Sequence, residues 1–136
     1  MVKVITGHAG AGKTKDIIDL VRKAAEEESG DVVCIEKGSQ LRYDIPYRVR
    51  LIDASEYGFG GAEFLKGFLS GLCAGNFDIA QIFIDGLYHL MDDRSFHALE
   101  EFLDWCDRFS EKHSVRFTIS ISIDAELVTP GIRKYL

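Results

Sequence analysis

VKVITGHAGAGKT, residues 2–14, decides how the rest of the chain is read. VKVIT is a short apolar, β-rich run. GHAGAGKT (7–14) is glycine-rich, and residues 13–28 then carry Ile17, Ile18, Leu20, Val21, Ala24 and Ala25 at helical spacing. The pattern predicts strand, loop, helix. Gly7, Gly12, Lys13 and Thr14 satisfy G-x-x-x-x-G-K-[ST], which average residue usage yields by chance in about one chain in two hundred of this length. The spacing has a chemical reason. Glycines allow backbone angles and a close approach that a β-carbon blocks, so that successive N–H groups can turn inward around phosphate oxygens. The positive end of the following helix favours an anion. Lys13 would reach the β- and γ-phosphates, and the Thr14 hydroxyl would coordinate Mg²⁺. The competing reading is a tight turn in which Lys13 is a solvated helix residue.

Working outward, Ser29, Gly30 and Asp31 break the helix, and VVCIE (32–36) is a continuous apolar run ending on a carboxylate. A polar, tyrosine-containing stretch leads to VRLID (49–53), a third expected strand. Residues 63–73 place Phe64, Leu65, Phe68, Leu69 and Leu72 on one helical face, with Gly75 and Asn76 as a stop. IAQIFID (79–85) is another apolar run closed by an acid. Residues 94–112 carry Phe96, Leu99, Phe102, Leu103, Cys106 and Phe109 at helical spacing. VRFTISISI (115–123) alternates as a strand does, and DAELVTPGIRKYL finishes the chain.

Strands alternating with helices imply crossover connections. The expected fold is therefore α/β, a three-layer αβα sandwich around a mainly parallel sheet, with residues 1–136 forming one nucleotide-binding domain. Ligands bind such sheets at the carboxyl ends of the strands. Those ends gather residues 6–14, Glu36, Asp53, Asp85 and residues 120–124. Asp85, at the end of IFID, supplies the carboxylate that a magnesium-bound nucleotide needs. A strand-end Asp in a turn would look the same in isolation.

The pair GHAGAGKT and QIFIDG resembles the Walker A and Walker B motifs of P-loop NTPases, over the core from residue 2 to about residue 123. With VVCIEKG after the first helix, the chain is also similar to small bacterial proteins catalogued as twitching-motility (PilT-like) ATP-binding proteins, though it lacks the length and extra domain of a pilus-retraction motor. The resemblance implies a RecA-like, additional-strand core. It implies that Gly7, His8, Ala9, Gly10, Ala11, Gly12, Lys13 and Thr14 bind the nucleotide phosphates, and that Thr14 and Asp85 hold Mg²⁺. In many additional-strand ATPases a Glu follows the Walker B Asp and orients the attacking water; here that position is Gly86. In the RecA-like branch the Glu ends the strand after the first helix, which implies Glu36 as the catalytic base beside Lys13. A surface Glu capping a strand is the alternative. Ser120 and Ser122 fall where a γ-phosphate sensor is often placed, although strand alternation alone also puts polar residues there, and Arg42, Arg48, Arg50 or Arg133 could serve as an arginine finger or be solvated charges. Tyr43 and Tyr47 could stack on a base or pack against the body of the protein.

Composition limits the choices. With 136 residues, 46% apolar and 28% charged, the chain has the composition of a soluble globular domain. No apolar run reaches the ~20 residues of a membrane span and no secretory signal is apparent, so a cytoplasmic location is expected. Cys34, Cys73 and Cys106 lie in apolar runs without a CxxC pair, which predicts buried reduced thiols. A formal charge of −6 speaks against a general nucleic-acid surface. The leading functional expectation is a Mg²⁺-dependent ATP-binding protein, a slow ATPase whose hydrolysis is raised by a protein partner or by homo-oligomer assembly. The alternatives are a non-hydrolysing nucleotide switch and a small-molecule kinase. No N-K-x-D motif is present, which favours ATP over GTP.

Overall fold

The computed structural model describes residues 1–8 and 10–136. Ala9, expected in the phosphate loop, lies outside the described residues. Five strands, β1 (Val2–Gly7), β2 (Asp31–Glu36), β3 (Arg50–Asp53), β4 (Ile79–Ile84) and β5 (Arg116–Ser122), form one sheet in the order β1-β5-β4-β2-β3. Every pairing between these strands is parallel. The helices are α1 (Lys13–Glu27), α2 (Ala62–Gly75), α3 (Phe96–His113) and the short α4 (Pro130–Arg133).

The strand period of two sends alternate residues to opposite faces. In β2, Val33 and Ile35 join a core with Leu65 and Leu69 of α2 and Leu99, Phe102 and Cys106 of α3. Val32 and Cys34 instead meet Ile17, Val21 and Ala24 of α1, together with Phe83. The sheet is thus covered on both faces, by α1 on one and by α2 and α3 on the other. Full burial of each large apolar side chain contributes roughly 1.5–3 kcal/mol. The three cysteines are free and buried, and burial pushes each thiol above its usual range. Among the described residues no helix is long and apolar enough to cross a membrane.

Two details go beyond the sequence-based expectation. Alternation in β5 does not signal a solvent face: Thr118 and Ser120 are buried, because β5 lies between β1 and β4 and its polar side faces inward. The C-terminal segment is also ordered. The Tyr135 carbonyl accepts from Val4 N at 2.8 Å along the outer edge of β1, and the Tyr135 hydroxyl donates to Asp104 Oδ1 at 2.5 Å.

Register positions the functional rim. Ile35 pairs with Ile84, and Ile84 with Ile119. One residue further along each strand come Glu36, Asp85 and Ser120, with Ile5 opposite Ser120 and Asp53 opposite Glu36. A single transverse row therefore carries the chemistry.

Candidate functional site

Gly7 ends β1 opposite Ser122, and the loop that follows turns directly into α1. Gly12 caps α1 in the left-handed region, with φ 87°, and no side chain caps the helix start. A glycine is required there because an L side chain is strained at that φ. The consequence is that the first N–H groups of a 15-residue helix are left without a capping side chain, at the positive end of its dipole. Lys13 Nζ and Ala11 N both donate to the His8 carbonyl, at 2.8 and 3.1 Å. Both bonds converge on that carbonyl, with the Lys13 ammonium held beside it.

Thr14 lies in the first turn of α1 with its hydroxyl turned toward the end of β4. Its Oγ1 donates to Asp85 Oδ2 at 3.3 Å, joining residues 71 apart in sequence. Asp85 is fixed from the other side by Ser120, whose Oγ donates to Oδ1 at 2.7 Å and accepts from Gly86 N at 2.8 Å. Lys13, Thr14, Glu36, Asp85, Ser120 and Ser122 all line one cavity of about 210 Å³, to which Gly10 also contributes. Larger clefts of about 490 and 510 Å³ lie between α2 and α3 and beside β3. Neither contains a residue of the glycine-rich loop.

Glu36 is buried in this row, at 3% exposure, and its Oε2 accepts from Leu41 N at 2.9 Å. Burial pushes its carboxyl above the usual range and the Asp85 and Asp53 charges add to the rise, while the Leu41 and Gln40 N–H groups oppose it. Asp53 behaves oppositely. The Ser55 hydroxyl and the N–H groups of Gly38 and Ser55 hold its carboxyl below the usual range, at 2.6, 2.8 and 2.9 Å. It ties β3 to the loop after β2 and does not line the cavity.

The structure also places the remaining candidates. Ser120 is not an available γ-phosphate sensor, because its one proton is directed to Asp85; Ser122 is exposed at the cavity instead. Arg48 is committed to the carbonyls at the end of α1, donating to Ala25, Glu28 and Gly30. Arg133 donates to the Val128 carbonyl, and Arg42 to the Tyr43 hydroxyl. Tyr43 and Tyr47 do not pack against the body of the protein, being 84% and 104% exposed. Sequence reasoning missed Lys37, Gln40 and His89, all of which line the cavity. Lys37 and Gln40 follow Glu36 closely enough to have been inferred. His89 depends on a turn that no local pattern announces.

The donor set suits a magnesium-bound triphosphate. Mg²⁺ uses one or two protein oxygens and keeps several waters, and Thr14 Oγ1 and Asp85 Oδ2 already face each other. Among the described residues no group of three or more His, Cys, Asp and Glu side chains forms an all-protein metal cage. The chain matches no protein-family model, and no curated protein matches it.

Proposed function

We propose that the chain binds a Mg²⁺–nucleoside triphosphate, ATP in preference to GTP, at the 7–14 loop and hydrolyses it slowly, as a P-loop NTPase of the additional-strand, RecA-like type. The observation that carries this reading is the Thr14–Asp85 hydrogen bond, which brings together the two residues expected to hold Mg²⁺. The position of β5 between β1 and β4 supports the additional-strand type. The bound metal ion would neutralise charge on the phosphates. For their part, the N–H groups at the start of α1 and the Lys13 ammonium bind phosphate oxygens, Ser120 orients Asp85, and Glu36 accepts the proton of the attacking water. Burial raises its carboxyl above the usual range, in the direction that makes it a stronger base.

The second reading is a nucleotide-dependent switch that holds the triphosphate without turning it over. It is favoured by Gly86, which offers no carboxylate beside Asp85, and by the tie of Glu36 to Leu41 N. A protein partner or a second copy of the chain would then supply the missing groups.

Thermal unfolding with Mg²⁺–ATP tests the shared premise. At ~100 times its dissociation constant the ligand stabilises the fold by roughly 2.7 kcal/mol. Lys13→Ala should lose most of that gain with little change in the unliganded melt. Equal gains in both proteins would remove the phosphate cradle and every role built on it.

A further inference from the structure

Gly86 lacks a side chain, but the space beside it is filled. The residue lies at φ 75°, where it opens a 3₁₀ turn at Leu87–Leu90. That turn brings the chain back over its own start, with His89 N donating to the Gly86 carbonyl at 3.0 Å. A Cβ built on Gly86 would stand 2.9 Å from His89 Cδ2 and 3.7 Å from Nε2. The imidazole therefore occupies the volume into which any residue-86 side chain would have to grow. The left-handed backbone disfavours an L residue at 86, and a side chain there would have to displace the ring.

His89 is the one of the four histidines that lines the cavity holding Lys13, Thr14, Glu36 and Asp85. Among the described residues no protein group hydrogen-bonds its ring, and the residue is exposed. The other three are placed differently: His8 lies in the loop with its carbonyl engaged, His97 is in the first turn of α3, and His113 packs on Phe109. A neutral imidazole carries one donor and one acceptor, the pair of functions needed to hold a water in a fixed orientation.

We infer that His89 is the water-positioning residue of this site, taking the place of the carboxylate that Gly86 cannot provide. The inference rests on the triphosphate-binding reading. In the reaction the water oxygen bonds to the terminal phosphorus, and the bond from that phosphorus to the bridging oxygen breaks. The products are nucleoside diphosphate and inorganic phosphate, and the water's proton passes to Glu36. His89 holds the water and exchanges no proton. An amide can do the same, as the water-orienting glutamine of small GTPases does.

The test compares wild type with His89→Ala and His89→Gln in two measurements. The first is the affinity for Mg²⁺–ADP with and without fluoroaluminate, a mimic of the transferring phosphoryl group. The second is single-turnover release of phosphate from Mg²⁺–ATP. His89→Ala should bind Mg²⁺–ADP within about threefold of wild type, lose at least tenfold of the fluoroaluminate-dependent gain, and release phosphate about 10²-fold more slowly. His89→Gln should recover most of both losses. Because the ring is exposed, all three proteins should melt alike without ligand. If His89→Ala keeps the fluoroaluminate gain and the rate, or if Gln fails to restore what Ala loses, the assignment of His89 is wrong. If wild type binds Mg²⁺–ATP without turnover and gains nothing from fluoroaluminate, His89 has no water to position while the binding site stands. If wild type binds no nucleotide, the triphosphate reading itself falls.

Discussion

Ser120 Oγ stands 2.7 Å from Asp85 Oδ1, and through this bond a buried strand residue fixes the orientation of a rim carboxylate. The same oxygen accepts the Gly86 N–H at 2.8 Å. One hydroxyl therefore holds both the expected metal ligand and the start of the turn that carries His89.

Ser120→Ala removes the donor to Asp85 and leaves the partly buried Gly86 N–H without its partner. Losing a hydrogen bond in such a position costs roughly 0.5–1.5 kcal/mol, or a melting decrease of about 2–6 °C for a chain of this size. Differential scanning calorimetry measures it. The Mg²⁺ concentration giving half-maximal nucleotide stabilisation should also rise, since Asp85 is then free to rotate.

Asp85→Asn should reduce the metal dependence of nucleotide binding more than binding in chelator. Isothermal titration calorimetry with ATP, in Mg²⁺ and in EDTA, separates the two. Equal loss under both conditions would show that Asp85 acts on the loop through Thr14 and not on the metal.

Glu36→Gln has a pH signature with a fixed sign. Burial raises the folded-state pKa of Glu36 above its unfolded value, so in the window between them the folded state binds more protons than the unfolded state. The contribution is complete below the unfolded value, about pH 4.5, and is lost as pH rises through the raised value. The amide does not titrate. The melting temperature of Glu36→Gln minus that of wild type should therefore increase from about pH 4.5 to pH 8. If Glu36 is the base, turnover in the same variant falls roughly 10²-fold while nucleotide affinity is kept.

Gly86→Ala forces an L residue to φ 75° and sets its Cβ against the His89 ring. The backbone alone costs about 1–2 kcal/mol. Urea unfolding should show that loss, and pairing the change with His89→Ala should recover only the part due to the clash.

The sequence by itself determined the order of the five strands and the three long helices, because each of these is written in local periodicity. The apolar runs at 32–36 and 79–85 and the helical stripes at 13–28 and 94–112 all fall on observed elements. It also located the glycine loop, Thr14, Glu36 and Asp85 at the carboxyl rim, since a parallel α/β sheet puts all its strand ends on one side. The register was not legible. Only the tertiary pairing of β2, β4 and β5 sets Glu36, Asp85 and Ser120 in one row, turns the Ser120 hydroxyl from a sensor into a clamp on Asp85, and leaves the tail of the chain along β1. His89 was hidden for the same reason. Its place follows from a left-handed glycine and a short turn packed against the sheet, and such long-range packing leaves no period in the chain from which it could be read.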